Sequence, residues 1–176
     1  MNQTILISIK DQRLQLREGD DVLLDFSIST AFNGPGEVDG SECTPRGWHV
    51  VHEKFGDNAE INSIFVGRKF TGEVFSASLK EQYPDRDWIL TRILWLSGLE
   101  PGFNQSGPVD TLSRYIYIHG CPDEEPMGLP GSHGCIRMHN NDVIALFDQA
   151  TVGTRVLVDE NSLPATTPSP PPFWEK

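Results

Sequence analysis

The densest chemistry in this sequence lies in Ser132-His133-Gly134-Cys135-Ile136-Arg137-Met138, which follows a shorter motif, His119-Gly120-Cys121, across an intervening loop. The run Tyr115-Ile116-Tyr117-Ile118 reads as a buried strand that delivers His119 at its end. A free thiol has a pKa of about 8.5 and is a poor nucleophile while protonated, but a neighbouring imidazole or guanidinium lowers that value. A Cys/His pair is the minimum for covalent acyl transfer. Gly134 permits a backbone turn that a side chain would block, so N–H groups around Gly134 and Cys135 can converge on one point and hold a developing oxyanion. Arg137 is placed to fix a substrate carboxylate by a bidentate contact, or equally to pair with an Asp or Glu of the chain itself. The plainer reading of Cys135 is a small buried loop residue, against which stands the polarity of the loop.

Other constellations carry less. His49-x-x-His52 invites a zinc reading, but the sequence contains no CxxC and no HExxH, and no metal is expected. His49 and His52 read as ordinary residues on or near a strand. Gly34, Gly36 and Gly40 lack the helix and lysine that a phosphate-cradling loop needs. Cys43 and Cys121 read as spectators, with a regulatory disulfide between Cys121 and Cys135 as the minor alternative.

The elements that must position these residues are mostly strands. Residues 4–9, 13–17 and 22–30 are apolar or alternating runs separated by Lys10-Asp11-Gln12 and Gly19-Asp20-Asp21, which predicts a β-meander. Further strand-like runs occupy 48–52, 61–67, 88–97, 115–119 and 155–158. One segment reads clearly as a helix, Asp142 to Ala150, with Asn140 or Asn141 as its cap, and a short helical turn is placed at 77–83. The class is therefore mainly β with one or two short helices. Residues 1–161 are assigned to one domain. The proline-rich composition from Pro164 to Pro172 favours extended chain and opposes packing, so 162–176 is assigned as a tail, with Phe173 and Trp174 docking back onto the body.

Composition narrows the function. The 176 residues suffice for one domain with a core. With 14 Lys+Arg against 25 Asp+Glu the formal net charge is −11, which repels phosphate backbones and anionic lipid; neither nucleic acid nor membrane is an expected partner. Lys10, Asp11 and Arg13 interrupt the N-terminal apolar run before a secretory core could form, and the three cysteines are an odd number. Both point to a cytoplasmic protein.

The pairing of His119-Gly120 at a strand end with the motif around Cys135 resembles the signature of the L,D-transpeptidase (YkuD) family of bacterial peptidoglycan enzymes. Ser29-Thr30-Ala31 before a glycine-rich loop, Thr44-Pro45-Arg46-Gly47-Trp48 and Gly153-Thr154-Arg155-Val156 resemble its other landmarks, so the likeness runs over roughly residues 4–159. It implies a YkuD-type β-sandwich or partly closed barrel that needs no metal or organic cofactor. It implies Cys135 as nucleophile, His119 as general base with the Gly120 carbonyl orienting the imidazole, and Ser132, His133 and Gly134 as shapers of the loop and oxyanion site. Arg137 stands where many members have asparagine, and the loop from His119 to Ser132 is short for the family. Arg137, with Arg46 or Arg114, is the candidate source of local positive potential for an anionic substrate.

The implied chemistry is acyl transfer on peptidoglycan stem peptides. The thiolate attacks the carbonyl between the L-centre of the third residue, usually diaminopimelate, and a terminal D-alanine, leaving a thioester. Water as acceptor makes a cytoplasmic L,D-carboxypeptidase that trims recycled tetrapeptides, the expectation favoured here. An amine acceptor makes a transpeptidase that forms 3→3 crosslinks or exchanges D-amino acids, and a third alternative is an idle scaffold that binds stem peptides or a partner.

Overall fold

A computed structural model describes residues 2–171. The expected docking of Phe173 and Trp174 lies outside the described residues. The chain opens on the meander β1 (Gln3–Ser8), β2 (Arg13–Glu18) and β3 (Asp21–Ser27). It continues through β4 (Gly47–Phe55), β5 (Ser63–Val66), β6 (Lys69–Val74), a short helix α1 (Ala77–Gln82) and the long strand β7 (Ile89–Gly98). Last come β8 (Tyr117–Gly120), β9 (Ile136–Met138), helix α2 (Asn140–Gln149) and β10 (Arg155–Asp159).

All ten strands form one sheet in the order β3-β2-β1-β10-β4-β7-β5-β6, with β8 branching from β7 and β9 pairing with β8. The sheet does not close. It branches at β7, where Thr91 takes φ +75° and the register with β8 shifts between Leu90 and Ile93. A β-branched residue in the left-handed region is strained. The strain is held in place by hydrogen bonds: the Thr91 hydroxyl donates to Asn140 Oδ1 at 2.6 Å and accepts from the Asn62 N–H at 2.9 Å.

β1 is buried on both faces between β2 and β10, which explains its unbroken apolar run Ile5-Leu6-Ile7. The main core joins these residues to Leu14, Leu16, Leu94, Leu96, Val156 and Val158, and is roofed by Val143, Leu146 and Phe147 of α2. Ile118, Ile136 and Met138 enter the same core from β8 and β9, so the strands that carry the chemistry are anchored by burial worth about 1.5–3 kcal/mol per large side chain.

One local expectation is extended and two are corrected. The run 61–67 is a hairpin arm of which β6 is the unforeseen partner; β6 is exposed along its whole length and has no apolar alternation to betray it. The cap of α2 is His139, because Asn140 sits inside the first turn and directs its amide to Asn62 Oδ1, the Cys121 carbonyl and Asp123 Oδ1 at 2.9, 2.9 and 3.0 Å. The start of the proline-rich segment is fastened to the body. Arg17 Nη2 donates to the Pro164 carbonyl at 2.6 Å, and Thr167 reaches Asp20 Oδ1 and the Gly19 carbonyl at 2.8 and 2.7 Å.

Two outcomes follow from buried polar groups. Asn140→Ala strips partners from Thr91, Asn62 and the Cys121 carbonyl at once, and is expected to cost about 3 kcal/mol in urea unfolding, against less than about 0.5 kcal/mol for the exposed Asn33→Ala. His49 is wholly buried between the Gly47 carbonyl and Thr111 Oγ1, each at 3.0 Å, and burial pushes its pKa down to about 4. The unfolded chain protonates this residue near its ordinary 6.5 while the native state resists until about 4. Its contribution to stability is therefore complete above pH 6.5 and lost as pH falls toward 4, a change of order 3 kcal/mol. His49→Gln should flatten that part of the pH–stability curve; equal slopes in both proteins would refute the assignment.

Candidate active site

β8 is buried throughout, and its alternation sends Ile118 into the main core while Tyr117 and His119 project from the opposite face. The imidazole is fixed by its own strand end: Nδ1 lies 2.6 Å from the Gly120 carbonyl. A carbonyl only accepts, so Nδ1 carries the hydrogen and Nε2 keeps its lone pair. Nε2 is buried and has no hydrogen-bond partner among the described residues. Gly120 is required here, since a Cβ would come within 2.5 Å of Asn140 Oδ1 and 2.6 Å of the Leu90 carbonyl.

β9 runs parallel to β8, pairing Ile118 with Ile136 and His119 with Arg137. One step back, Cys135 falls beside Tyr117, whose N–H donates to Sγ at 3.3 Å. Cys135 and His119 are thus diagonal neighbours on one face, about 7–8 Å apart at the backbone and within the reach of an imidazole. The thiol itself donates toward the Tyr115 carbonyl at 3.5 Å.

The loop before Cys135 is braced by the segment between β3 and β4. Ser132 bridges Ala31, Thr44 Oγ1 donates to the Gly134 carbonyl at 2.8 Å, and the Ser132 hydroxyl donates to the Cys135 carbonyl at 2.5 Å. Gly134 adopts φ +131°, with Ile116 and the Cys43 carbonyl closing the space a side chain would need. Its N–H donates to Ser132 Oγ at 3.2 Å and is thereby committed, so the two N–H groups expected to converge are reduced to that of Cys135.

Cys135 opens onto a cavity of about 580 Å³ lined by Arg68, Arg114, Asp87, Tyr115, Tyr117 and His133 among others. His133 is largely exposed there, with Nδ1 3.9 Å from Asp87 Oδ2. Arg137 is not in this lining. It donates from Nη2 to Asp87 at 2.9 Å and from Nη1 to the Gly131 carbonyl at 3.1 Å, so its guanidinium is already engaged by the chain. Arg46 is likewise engaged, by Glu37 and Glu160 at 2.9 and 3.1 Å. Arg114 does border the cavity, although its N–H groups hold the carbonyls of Gly36, Glu37 and Cys43.

The resting charge state departs from expectation. Burial pushes the Cys135 thiol up to about 12, against the opposing pull of the Tyr117 N–H, Arg137 and Arg114. Burial also lowers the His119 pKa, overcoming the favourable Asp87 charge and the Gly120 hydrogen bond. At neutral pH the pair is thiol and neutral imidazole rather than thiolate and imidazolium. Cys121 is a separate buried thiol whose Sγ donates to the Met138 carbonyl at 3.4 Å. It lies four residues beyond Tyr117, roughly 13 Å along the strand from Cys135, which excludes the disulfide considered above.

Sequence reasoning missed Arg68, Asp87 and the two tyrosines. The alternation Tyr115-x-Tyr117-x-His119 was a usable signal for the tyrosines, because alternate residues of a strand share a face. Arg68 lies in the β5–β6 turn and Asp87 in the irregular stretch before β7, where no periodicity points.

Comparison with known proteins bears on the family and the fold. The sequence profile of the YkuD L,D-transpeptidase catalytic domain matches residues 2–158. The Bacillus subtilis "Putative L,D-transpeptidase YqjB" is 46% identical over 61 residues, 35% of this chain and 33% of that protein. The Escherichia coli "Probable L,D-transpeptidase ErfK/SrfK" is 39% identical over 74 residues, 38% of this chain and 24% of that one. The matched stretch spans a third or less of these relatives' own length. Among solved structures, an L,D-transpeptidase from Xylanimonas cellulosilytica superposes with a TM-score of 0.52 at 20% identity, covering 90% of this chain and 60% of that one. One from Mycobacterium smegmatis does so with 0.53 at 16%, covering 90% and 58%, and the two likenesses establish the fold. On the profile match over nearly its whole length, this chain belongs to the L,D-transpeptidase (YkuD) catalytic-domain family.

Proposed function

We propose that this protein cleaves the bond between the L-centre of diaminopimelate and the terminal D-alanine of a peptidoglycan tetrapeptide, using Cys135 as nucleophile and water as final acceptor. The observation that carries the reading is the state of His119: its Nδ1–H is bound by Gly120, which leaves a buried Nε2 lone pair, without a partner among the described residues, on the face it shares with Cys135.

The reaction begins from the neutral pair. The S–H turns from the Tyr115 carbonyl to Nε2, and the proton moves to His119 as sulfur attacks the peptide carbonyl. The Cys135 N–H receives the developing oxyanion. Collapse of the tetrahedral intermediate transfers the proton from Nε2 to the leaving D-alanine amine, and a thioester remains. Neutral His119 then deprotonates a water that attacks the thioester and returns the thiol. The Asp87 carboxylate helps His119 hold the proton during each step, while Arg137 and Arg114 favour negative charge on sulfur.

Water is proposed as acceptor, and the cytoplasm as compartment, on the cysteine usage: three cysteines are an odd number with no disulfide framework in the sequence, which suits a reducing compartment.

Mass spectrometry of products from tetrapeptide, with and without an added D-amino acid, tests the reading. Tripeptide and free D-alanine should dominate in both; exchange product in excess of tripeptide favours transpeptidation, and no D-alanine release defeats both. Cys135→Ala should abolish turnover, and His119→Ala should lower it by roughly 10²–10⁴-fold. Iodoacetamide alkylation of Cys135 should rise steadily through pH 9 with no plateau near neutrality, following a thiol pKa of about 12; a plateau below pH 8 would mean a preformed thiolate.

A further inference from the structure

The cavity beside Cys135 is bordered by a cation, Arg68, that has no ion-pair partner among the described residues, with Glu53 acting on it only at longer range. Arg68 occupies the second position of the two-residue turn between β5 and β6, where Gly67 and Arg68 take φ +56° and +66°. Such a turn favours glycine, asparagine or aspartate, and arginine in the left-handed region is strained. Strain of this kind persists where the surroundings enforce it, and it clusters at functional sites. Here the surroundings are explicit: the guanidinium lies 4.4 Å from the Trp95 ring centroid and 5.1 Å from that of Tyr115, and Nη1 donates to the Tyr117 hydroxyl at 2.9 Å.

These contacts fix the group without cancelling its charge. Arg13, Arg46 and Arg137 each form an ion pair, with Asp25, Glu37 and Asp87 respectively, whereas no carboxylate among the described residues is paired with Arg68. Arg114, the other guanidinium in the lining, is spent on backbone carbonyls. In a chain of net charge −11, Arg68 is thus a pre-oriented cation facing the same cavity as the nucleophile, with its Nε and Nη2 hydrogens uncommitted among the described residues.

We propose that Arg68 is the substrate-anchoring residue of this cavity and binds a carboxylate of the peptide whose carbonyl Cys135 attacks. The proposal rests on the stem-peptide reading above. That peptide offers two such groups near the scissile bond, the terminal D-alanine carboxylate and the side-chain carboxylate of diaminopimelate, and a planar guanidinium suits either by paired hydrogen bonds.

Calorimetry on the full chain carrying Cys135→Ala separates binding from turnover. The ligands are the tetrapeptide L-Ala-γ-D-Glu-meso-diaminopimelate-D-Ala and two versions of it, one amidated at the D-alanine carboxylate and the other at the diaminopimelate side chain. Adding Arg68→Gln should weaken tetrapeptide binding by at least about tenfold. Amidating the carboxylate that Arg68 holds should weaken binding to Cys135→Ala by a similar factor and have no further effect when Arg68→Gln is present, so the sensitive peptide names the carboxylate. The amide comparison in Cys135→Ala needs no change at Arg68 and stands even if the double variant folds poorly. Amidation effects below twofold, effects that persist after Arg68→Gln, or no binding of the tetrapeptide would each overturn the proposal. Arg68-dependent binding without D-alanine release by the unsubstituted protein would reject the hydrolytic reading alone and leave the anchor standing.

Discussion

The parallel pairing of β8 with β9 is the constraint on which the site depends. Side chains alternate along a strand, so a slip of one residue would turn Cys135 into the core and bring Ile136 out in its place. The register is held from the apolar side by Ile118, Ile136 and Met138, and from the polar side by reciprocal backbone hydrogen bonds between Ser29 and Arg137 at 3.0 and 2.8 Å. Gly120 adds a steric lock against Asn140 and Leu90. The nucleophile is therefore positioned by core packing on the far side of the strand that bears it.

Burial shapes the chemistry as firmly as it shapes the fold. Burial raises the pKa of the Cys135 thiol and lowers that of the His119 imidazole, so both shifts favour the uncharged pair in the absence of substrate. Such a thiol is slow to react with adventitious electrophiles, because the thiolate is the reactive form. The surrounding arginines divide the remaining labour. Arg137 binds Asp87, Arg114 ties down the loop that ends at Cys43, and Arg68 borders the cavity on the Tyr117 hydroxyl with no ion pair among the described residues.

Much of this arrangement was legible in the amino-acid sequence. The meander, the strand ending in His119 and helix α2 follow from alternation and helical spacing, and Gly134 stands where its positive φ is needed. The role of Gly120 as acceptor for Nδ1 agrees with what the family likeness implied. What stayed hidden is of another kind. β6 is an exposed edge whose residues KFTGEV obey no burial pattern, and Asn140 resembled a cap because its hub partners Thr91, Asn62 and Asp123 are remote in sequence. The thiol's charge state was misjudged because burial, the dominant influence on it, is a property of the assembled cavity rather than of neighbouring letters.

β10 deserves a final consideration for where it lies. It sits between β1 and β4, joining a strand that begins at residue 3 to one that begins at residue 47, yet it is itself residues 155–159. Along the sheet the meander and the branched half are joined through this segment, and away from it by the bridges of Ser29 with Arg137 and Ala31 with Ser132. Pairing across such sequence distance is slow because the entropy of closing a long loop must be spent before the contacts form. The pairing of β10 with both β1 and β4 is thus a late folding step, and it brings Val156 and Val158 into the core face that sets the β8–β9 register.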